Sequence, residues 1–282
     1  MSKARGLADL GNVYSDGALS NRNMIINGGF EVWQRSTDTT GTYFAYKTAD
    51  RWRHYNGAMS MRSYRVNVSS DTDVPTQYAL GLEVTSAQWG LKQIVEYVKA
   101  GTYTLSFYIK ASVAGTLNLY DPSESVAITT DWQRVEKVIT VSSGQNDIFI
   151  VKNTAQSLVG TVYITGVQLE VGDTATPFEH RPYSEELDLC RRYYEHQVVY
   201  NASAVRGSLS GSGTAVNVFN TFYPKRALPS VTFGTGPDDL KMEITGDGNV
   251  QTGLRLLWRS PSSVAAGFVY SVTYTAHFDS EL

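Results

Sequence analysis

Cysteine is all but missing from this chain: Cys190 stands alone among 282 residues. One thiol excludes an intrachain disulfide framework and any metal site built on several cysteines, so Cys190 is predicted to be a small buried hydrophobe. Charge is scarce as well. Asp, Glu, Lys and Arg supply 18% of residues, below the usual quarter, and the net charge is −3. Binders of DNA or RNA rely on clustered Lys and Arg, so nucleic acid is not expected as a ligand. No apolar run approaches membrane-spanning length, and Met1-Ser2-Lys3-Ala4-Arg5-Gly6-Leu7 lacks the apolar core of a signal peptide. Membrane insertion and an export leader are therefore not expected.

Signatures of catalysis are also lacking. His54, His180, His196 and His277 are scattered, and none lies in an HExxH arrangement. There is no GxSxG nucleophile elbow and no phosphate-cradling glycine loop; Gly246-Asp247-Gly248-Asn249 reads as a hairpin turn. Among 27 acidic residues some pair will meet glycosidase spacing by accident, and Asp238-Asp239 reads as solvated surface. No catalytic residue, metal ligand or cofactor is assigned, and the chain is expected not to be an enzyme.

Aromatics, by contrast, are plentiful: 18 Tyr, 10 Phe and 5 Trp, residues that suit strands, interfaces and sugar-binding faces. Tyr103, Leu105, Phe107 and Ile109 alternate with Thr102, Thr104, Ser106, Tyr108 and Lys110, predicting a strand with one apolar and one polar face. Further short runs lie at 117–119, 132–141, 148–151 and 161–169, a spacing that predicts an all-β sandwich or jelly roll over residues 24–183. Residues 1–23 show no sustained period and read as a separate N-terminal arm. Pro182, Ser184, Glu185 and Glu186 open a short connector helix, assigned to 184–195, with Arg191 and Arg192 near its end. Residues 196–282 predict a second antiparallel β domain, closed by the alternating run Phe268 to Phe278.

Two segments carry a family likeness. Asn23-Met24-Ile25-Ile26-Asn27-Gly28-Gly29-Phe30-Glu31-Val32-Trp33-Gln34-Arg35, with Thr48-Ala49-Asp50-Arg51-Trp52, opens the first region. Val167-Gln168-Leu169-Glu170-Val171-Gly172-Asp173-Thr174-Ala175-Thr176-Pro177-Phe178-Glu179 closes it. The pairing resembles the jelly-roll domain of tailed-bacteriophage fibre and appendage proteins, a relative of carbohydrate-binding modules. That resemblance implies a structural virion protein, assembled in host cytoplasm, that recognises a host-surface glycan. It implies a homotrimer joined through residues 190–282 and an arm that docks on other virion proteins. Two rivals stand beside it: an architectural capsid, neck or tail piece with no receptor, and a glycan-cleaving enzyme. Related jelly rolls often hold a structural calcium. Asn27 and Glu31 match one half of that pattern, but Ile164-Thr165-Gly166 stands where acids would be required, so no metal is assigned.

The glycan surface is placed on aromatics that alternation or turns leave outward: Tyr108 on the central strand, Tyr120 beside Asp121-Pro122, and Trp89 before Gly90. Arg51, Arg53, Arg62 and Arg65 read as solvated strand flanks, and Trp33 and Trp52 as core.

Overall fold

Alternation along the strands sorts the first unit into two layers with one core between them. The structure is a computed structural model, and it describes residues 22–41, 46–56, 61–84, 89–119, 125–142, 144, 146–153, 160–204, 215–221, 224–227, 230–233, 240–245, 253–259 and 269–281. The chain divides into two compact units, 1–186 and 187–282. In the first, β1 (Asp38–Gly41), β3 (Met61–Asn67), β4 (Tyr78–Val84), β6 (Gly101–Ala111), β9 (Gln133–Val141) and β11 (Gly160–Val171) form a six-stranded sheet in the order β1-β3-β4-β11-β6-β9. The opposite layer contains β2 (Arg53–Asn56), β5 (Trp89–Ile94) and β10 (Asp147–Asn153), in the order β10-β5-β2, with a separate ribbon of β7 (Gly115–Asn118) and β8 (Ser125–Ile128). All pairings are antiparallel. Leu80, Leu82, Leu105, Phe107, Ile109, Val162 and Ile164 from the large sheet meet Trp89, Leu91, Ile148 and Ile150 from the small one, all buried. The fold is all-β: a jelly-roll sandwich, a short helix and a second antiparallel β unit.

Strand β11 changes partner half-way. Its first half pairs with β4; the register against β6 then shifts between Thr165 and Gln168, and Gly166 takes a left-handed φ of 58°. Beyond the bulge the opening segment replaces β4, with Met24 N donating to Leu169 O (2.9 Å) and Val167 N to Gly28 O (3.0 Å). A Cβ on Gly28 would sit 2.1 Å from Val167 O, so this close approach requires glycine. Asn23, assigned from sequence to the arm, is buried and bonds β11 through both side-chain atoms. The arm proper, 1–21, lies outside the described residues.

Helix α1 spans Tyr183–Arg191, shorter than the 184–195 expected, and the division between units falls inside it. Its acidic first turn and basic last turn match the sequence reading. It stops early because the next residues enter a sheet: Tyr193 N closes on Cys190 O, and Tyr194 already pairs with Asp279. Cys190 is buried, as expected. The second unit contains β12 (Tyr194–Ala204), β13 (Ala215–Thr221), β14 (Ser230–Phe233), β15 (Leu240–Thr245), β16 (Gly253–Arg259) and β17 (Val269–Asp279), in sheets ordered β12-β17-β14 and β13-β16-β15. The terminal strand β17 is thus central in its sheet. Lys225, whose side chain is buried, ties this unit's start by donating to Glu195 (2.8 Å) and to Arg191 O (2.5 Å).

His54 gives the sandwich a pH dependence. It is buried 3.4 Å from Ser63 Oγ, itself 2.9 Å from Thr48 Oγ1, and burial depresses its pKa to about 4. The unfolded chain therefore takes up this proton first, so His54 contributes stability above pH ~6.5 that is lost as pH falls towards 4. The full loss is on the order of 3 kcal/mol. Glu31 and Glu186, whose pKa values burial raises, change stability in the opposite sense at the acid end. The expected result is a melting temperature that falls between pH 6.5 and 4 with a slope that His54→Leu flattens; identical slopes would refute the assignment.

Candidate functional site

The outward face of the six-stranded sheet carries a row of rings. Strand β3 alternates buried Met61 and Ser63 with half-buried Arg62, Tyr64 and Val66, so Tyr64 points away from the core. Across the ladder Tyr64 pairs with Gly81, Gly81 with Tyr163, and Tyr163 with Lys110. Trp132 stands one residue before Gln133, the partner of Ile109, and so ends the same row. With strands spaced about 4.8 Å apart, a row from β3 to β9 crosses four gaps and is about 19 Å long. Tyr64, Tyr163, Lys110 and Trp132 are all half-buried, each showing part of its side chain to solvent.

Particular contacts hold each member. Gly81 leaves room for the Tyr64 ring to lie across β4: a Cβ there would stand 2.8 Å from Tyr64 Cζ and 3.0 Å from Val66 Cγ2. Burial and a hydrogen bond with Tyr163 push the Tyr64 phenol up to about 12, so it stays protonated and able to donate. Lys110 Nζ lies 4.8 Å from the Trp132 ring centroid and 5.6 Å from that of Tyr163, bridging the two by cation–π contact. Asp71 fixes the far end: it accepts from Trp132 Nε1 (2.8 Å) and Lys110 Nζ (3.5 Å), and those donors hold its carboxyl below the usual range. Arg62 forks to Asp38 (2.9 and 2.6 Å) and Glu83 (2.7 Å) beside Tyr64, its guanidinium 4.5 Å from that ring. The result is a strip of amphipathic rings with hydroxyl, indole and charged atoms at its margins, a composition that fits the apolar faces and peripheral hydroxyls of sugar rings.

A substitution at Gly81 separates platform geometry from fold. Gly81→Ala is expected to lift the Tyr64 ring and weaken ligand binding severalfold. The sandwich should still fold, because the tightest clash is with the far end of the Tyr64 side chain and the 3.0 Å contact with Val66 Cγ2 needs only a small shift. Loss of folded protein, or unaltered binding to a ligand retained by the parent, would contradict this role.

The structure treats the three sequence-derived glycan residues differently. Trp89 is 1% exposed and packs in the core between the layers, so its ring offers no face to a sugar; the alternation of β5 points it inward. Tyr108 does point outward, half-buried and one row from the platform, with Arg134 at 5.9 Å from its ring; like Trp132 it packs against the cluster of Val68, Val74 and Ala79. On the same strand Thr104 and Ser106, expected to face solvent, are buried. The segment after β11 folds back there: Thr104 Oγ1 donates to Gly172 O (2.9 Å), and Thr176 O accepts from Arg134 (2.5 Å) and Gln168 (3.3 Å). Tyr120 lies outside the described residues. Tyr64 and Tyr163 were missed by sequence reasoning, although V-Y-I and S-Y-R-V alternation on β11 and β3 signals outward tyrosines. Of the arginines, Arg51 is buried and donates to Ile94 O (2.6 Å), so it is no solvated flank.

A second feature is a shallow polar cleft between the opening segment and residues 178–186, with room for about one water molecule. Arg181 crosses it, donating to the carbonyls of Ile25 (3.0 Å) and Asn23 and pairing with Glu179 and Glu186 (both 3.6 Å). Glu186 accepts from Asn27 N, and burial raises its pKa in spite of these partners. A calcium ion does not fit these residues. The Asn27 side-chain oxygen is already committed to Glu31 N (2.8 Å) and Val32 N (3.0 Å), Thr165 Oγ1 donates to Tyr78 O (2.6 Å), and two local carbonyls receive a guanidinium. Chelator and added calcium are both expected to leave the melting temperature unchanged; a rise of several degrees with calcium would contradict this.

No family model matches the chain, and no curated protein matches it in sequence. Solved structures with a similar strand arrangement include the CBM22-1 xylan-binding domain from Paenibacillus barcinonensis Xyn10C, at 13% identity, over 49% of this chain and 95% of that one, with a TM-score of 0.34. TmCBM61, solved in complex with beta-1,4-galactotriose, is 18% identical over 54% of this chain and 100% of its own, also at 0.34. The enzymatically active domain of bacteriophage CBA120 tailspike protein 4 is 14% identical over 54% of this chain, at 0.34, but the match spans 22% of that protein. All three TM-scores lie below 0.5, and the architecture described above rests on this chain's own registers.

Proposed function

We propose that this protein is a non-enzymatic structural component of a tailed-phage virion, a fibre or appendage, that recognises a host-surface glycan through the ring platform on its large sheet. The observation that carries the glycan reading is the row Tyr64–Gly81–Tyr163–Lys110–Trp132, in which half-buried rings line up across the strands. The virion reading is supported by the resemblance of segments 23–35 and 167–179 to phage fibre jelly rolls. In this reading three copies assemble through residues 190–282 and the arm 1–21 docks on the particle. Millimolar contacts then suffice, since linked copies raise avidity by roughly 10² to 10⁴.

Purified protein applied to an array of bacterial surface polysaccharides, and to host cells in an adsorption assay, tests this. Retention without release of new reducing ends is expected, from a species of trimer mass by light scattering. Retention by no polysaccharide would favour a purely architectural role, and turnover would make the protein a glycan-cleaving enzyme.

A further inference from the structure

We infer that the platform takes a neutral glycan and discriminates against acidic ones; this rests on the reading of the platform as a sugar-binding face. Its cations look inviting to uronates or sulfates, yet carboxylates outnumber them. On this face Arg62, Lys110 and Arg134 contribute three positive charges, and Asp38, Glu83, Asp71 and Glu136 contribute four negative ones.

Donor geometry makes the same point more sharply. The Arg62 Nε and Nη2 donate to the two oxygens of Asp38, and its Nη1 donates to Glu83. Both edges of that fork are occupied by carboxylates, the partners a guanidinium would otherwise find on a ligand. Lys110 is spread over Asp71 and two rings. Arg134 is held by Glu136 (2.8 Å) and by the carbonyl of Thr176. Arg65 pairs with the core residue Leu80, so it lies on the opposite side of β3 from Tyr64, 4.6 Å from the Tyr78 ring centroid. An anionic sugar arriving at the strip would therefore meet four carboxylates with no cation left to answer it. Asp38 and Asp71, both held below the usual carboxyl range by their donors, keep their charge into mildly acidic solution. Neutral sugars meet no such penalty: the rings offer stacking area, and the protonated Tyr64 phenol and its neighbours offer hydroxyl-scale hydrogen bonds.

Affinity gel electrophoresis of the full chain tests this, with galactan, xylan, glucomannan and mixed-linkage β-glucan as neutral probes and polygalacturonate, alginate and hyaluronan as acidic ones. At least one neutral polymer is expected to retard the protein, equally at about 50 and about 500 mM salt, while the acidic set does not. The double variant D38N/E83Q, altered at two part-exposed carboxylates, frees Arg62; it is expected to gain about fivefold or more in retention by an acidic polymer, lost at high salt. Stronger retention of the parent by acidic polymers, salt-sensitive neutral retention, or a double variant still blind to acidic polymers would overturn the inference while leaving the sugar-binding reading in place. Retention by neither class would remove that reading, and this inference with it.

Discussion

Asn27→Ala is expected to lower the stability of the sandwich by about 4 kcal/mol, a large fraction of what a domain of this size possesses. Asn27 is fully buried, and its side chain does the work of a small sheet. Its oxygen accepts from Glu31 N and Val32 N; its nitrogen donates to Val32 O and Asp50 O, each at 2.9 Å. Around it the Trp52 indole donates to the Asn27 backbone carbonyl (2.8 Å) and stacks on Phe30 at 4.9 Å, so the turn that the side-chain amide braces also seats two core rings. Alanine leaves the Glu31 and Val32 amides without these acceptors, at about 1–3 kcal/mol for each buried group stranded. It also keeps a β-carbon at φ 59° without the polar side chain that lets asparagine tolerate that conformation, a strain of about 1 kcal/mol. Asn27→Gly removes the strain and keeps the lost bonds, so it should be the milder of the two by about that amount. Urea denaturation of the three proteins, monitored at Trp52 and its neighbours, measures both differences. An Asn27→Ala protein within 1 kcal/mol of the parent would show that the network is not what holds the opening segment.

Trp132→Ala and Tyr163→Ala should each weaken glycan retention by roughly tenfold or more, since each removes a stacking ring together with one half of the Lys110 cation–π bridge. Combined, they should abolish measurable binding. Their effects are expected to be non-additive, because both rings act on the same lysine. Stability should change little at Tyr163, which is half-buried, and somewhat more at Trp132, whose indole anchors Asp71. Trp89→Phe, in contrast, should destabilise the core and leave retention by the remaining folded protein unchanged. Binding lost at Trp89 and retained at Trp132 would reverse the assignment of the face.

The sheet periodicity was legible in particular residues. Leu105, Phe107 and Ile109 are buried at the positions that alternation predicts, and the acidic first turn and basic last turn of α1 sit where its caps imply. What alternation could not convey is which outward residues stay outward. Thr104 and Ser106 occupy the polar face of β6 as expected but are buried, because a segment from the end of β11 returns across them through Gly172 and Thr176. Trp89 reads locally as a strand-end aromatic; its burial depends on the small sheet closing over the large one, a contact between segments remote in sequence. The platform was hidden for the same reason. Tyr64, Gly81, Tyr163 and Lys110 become neighbours only through the registers of β3, β4, β11 and β6, and a glycine between two tyrosines has no meaning until those strands pair. Arg181 shows the converse: the sequence around Asn27 and Glu31 suggests half of a calcium site, while the nearby carbonyls are already served by a side chain more than 150 residues along the chain.

Hydroxyl-radical footprinting of the full chain, with and without the polysaccharide that retains it best, tests the platform most directly. Tyr97 and Tyr183, 86% and 56% exposed and away from the row, provide internal controls for radical access. Protection of Tyr64, Tyr163 and Trp132 upon binding, with oxidation of Tyr97 and Tyr183 unchanged, is the expected result. Protection centred on Tyr97 or Tyr183, with the three platform rings oxidised as in the unbound protein, would contradict it.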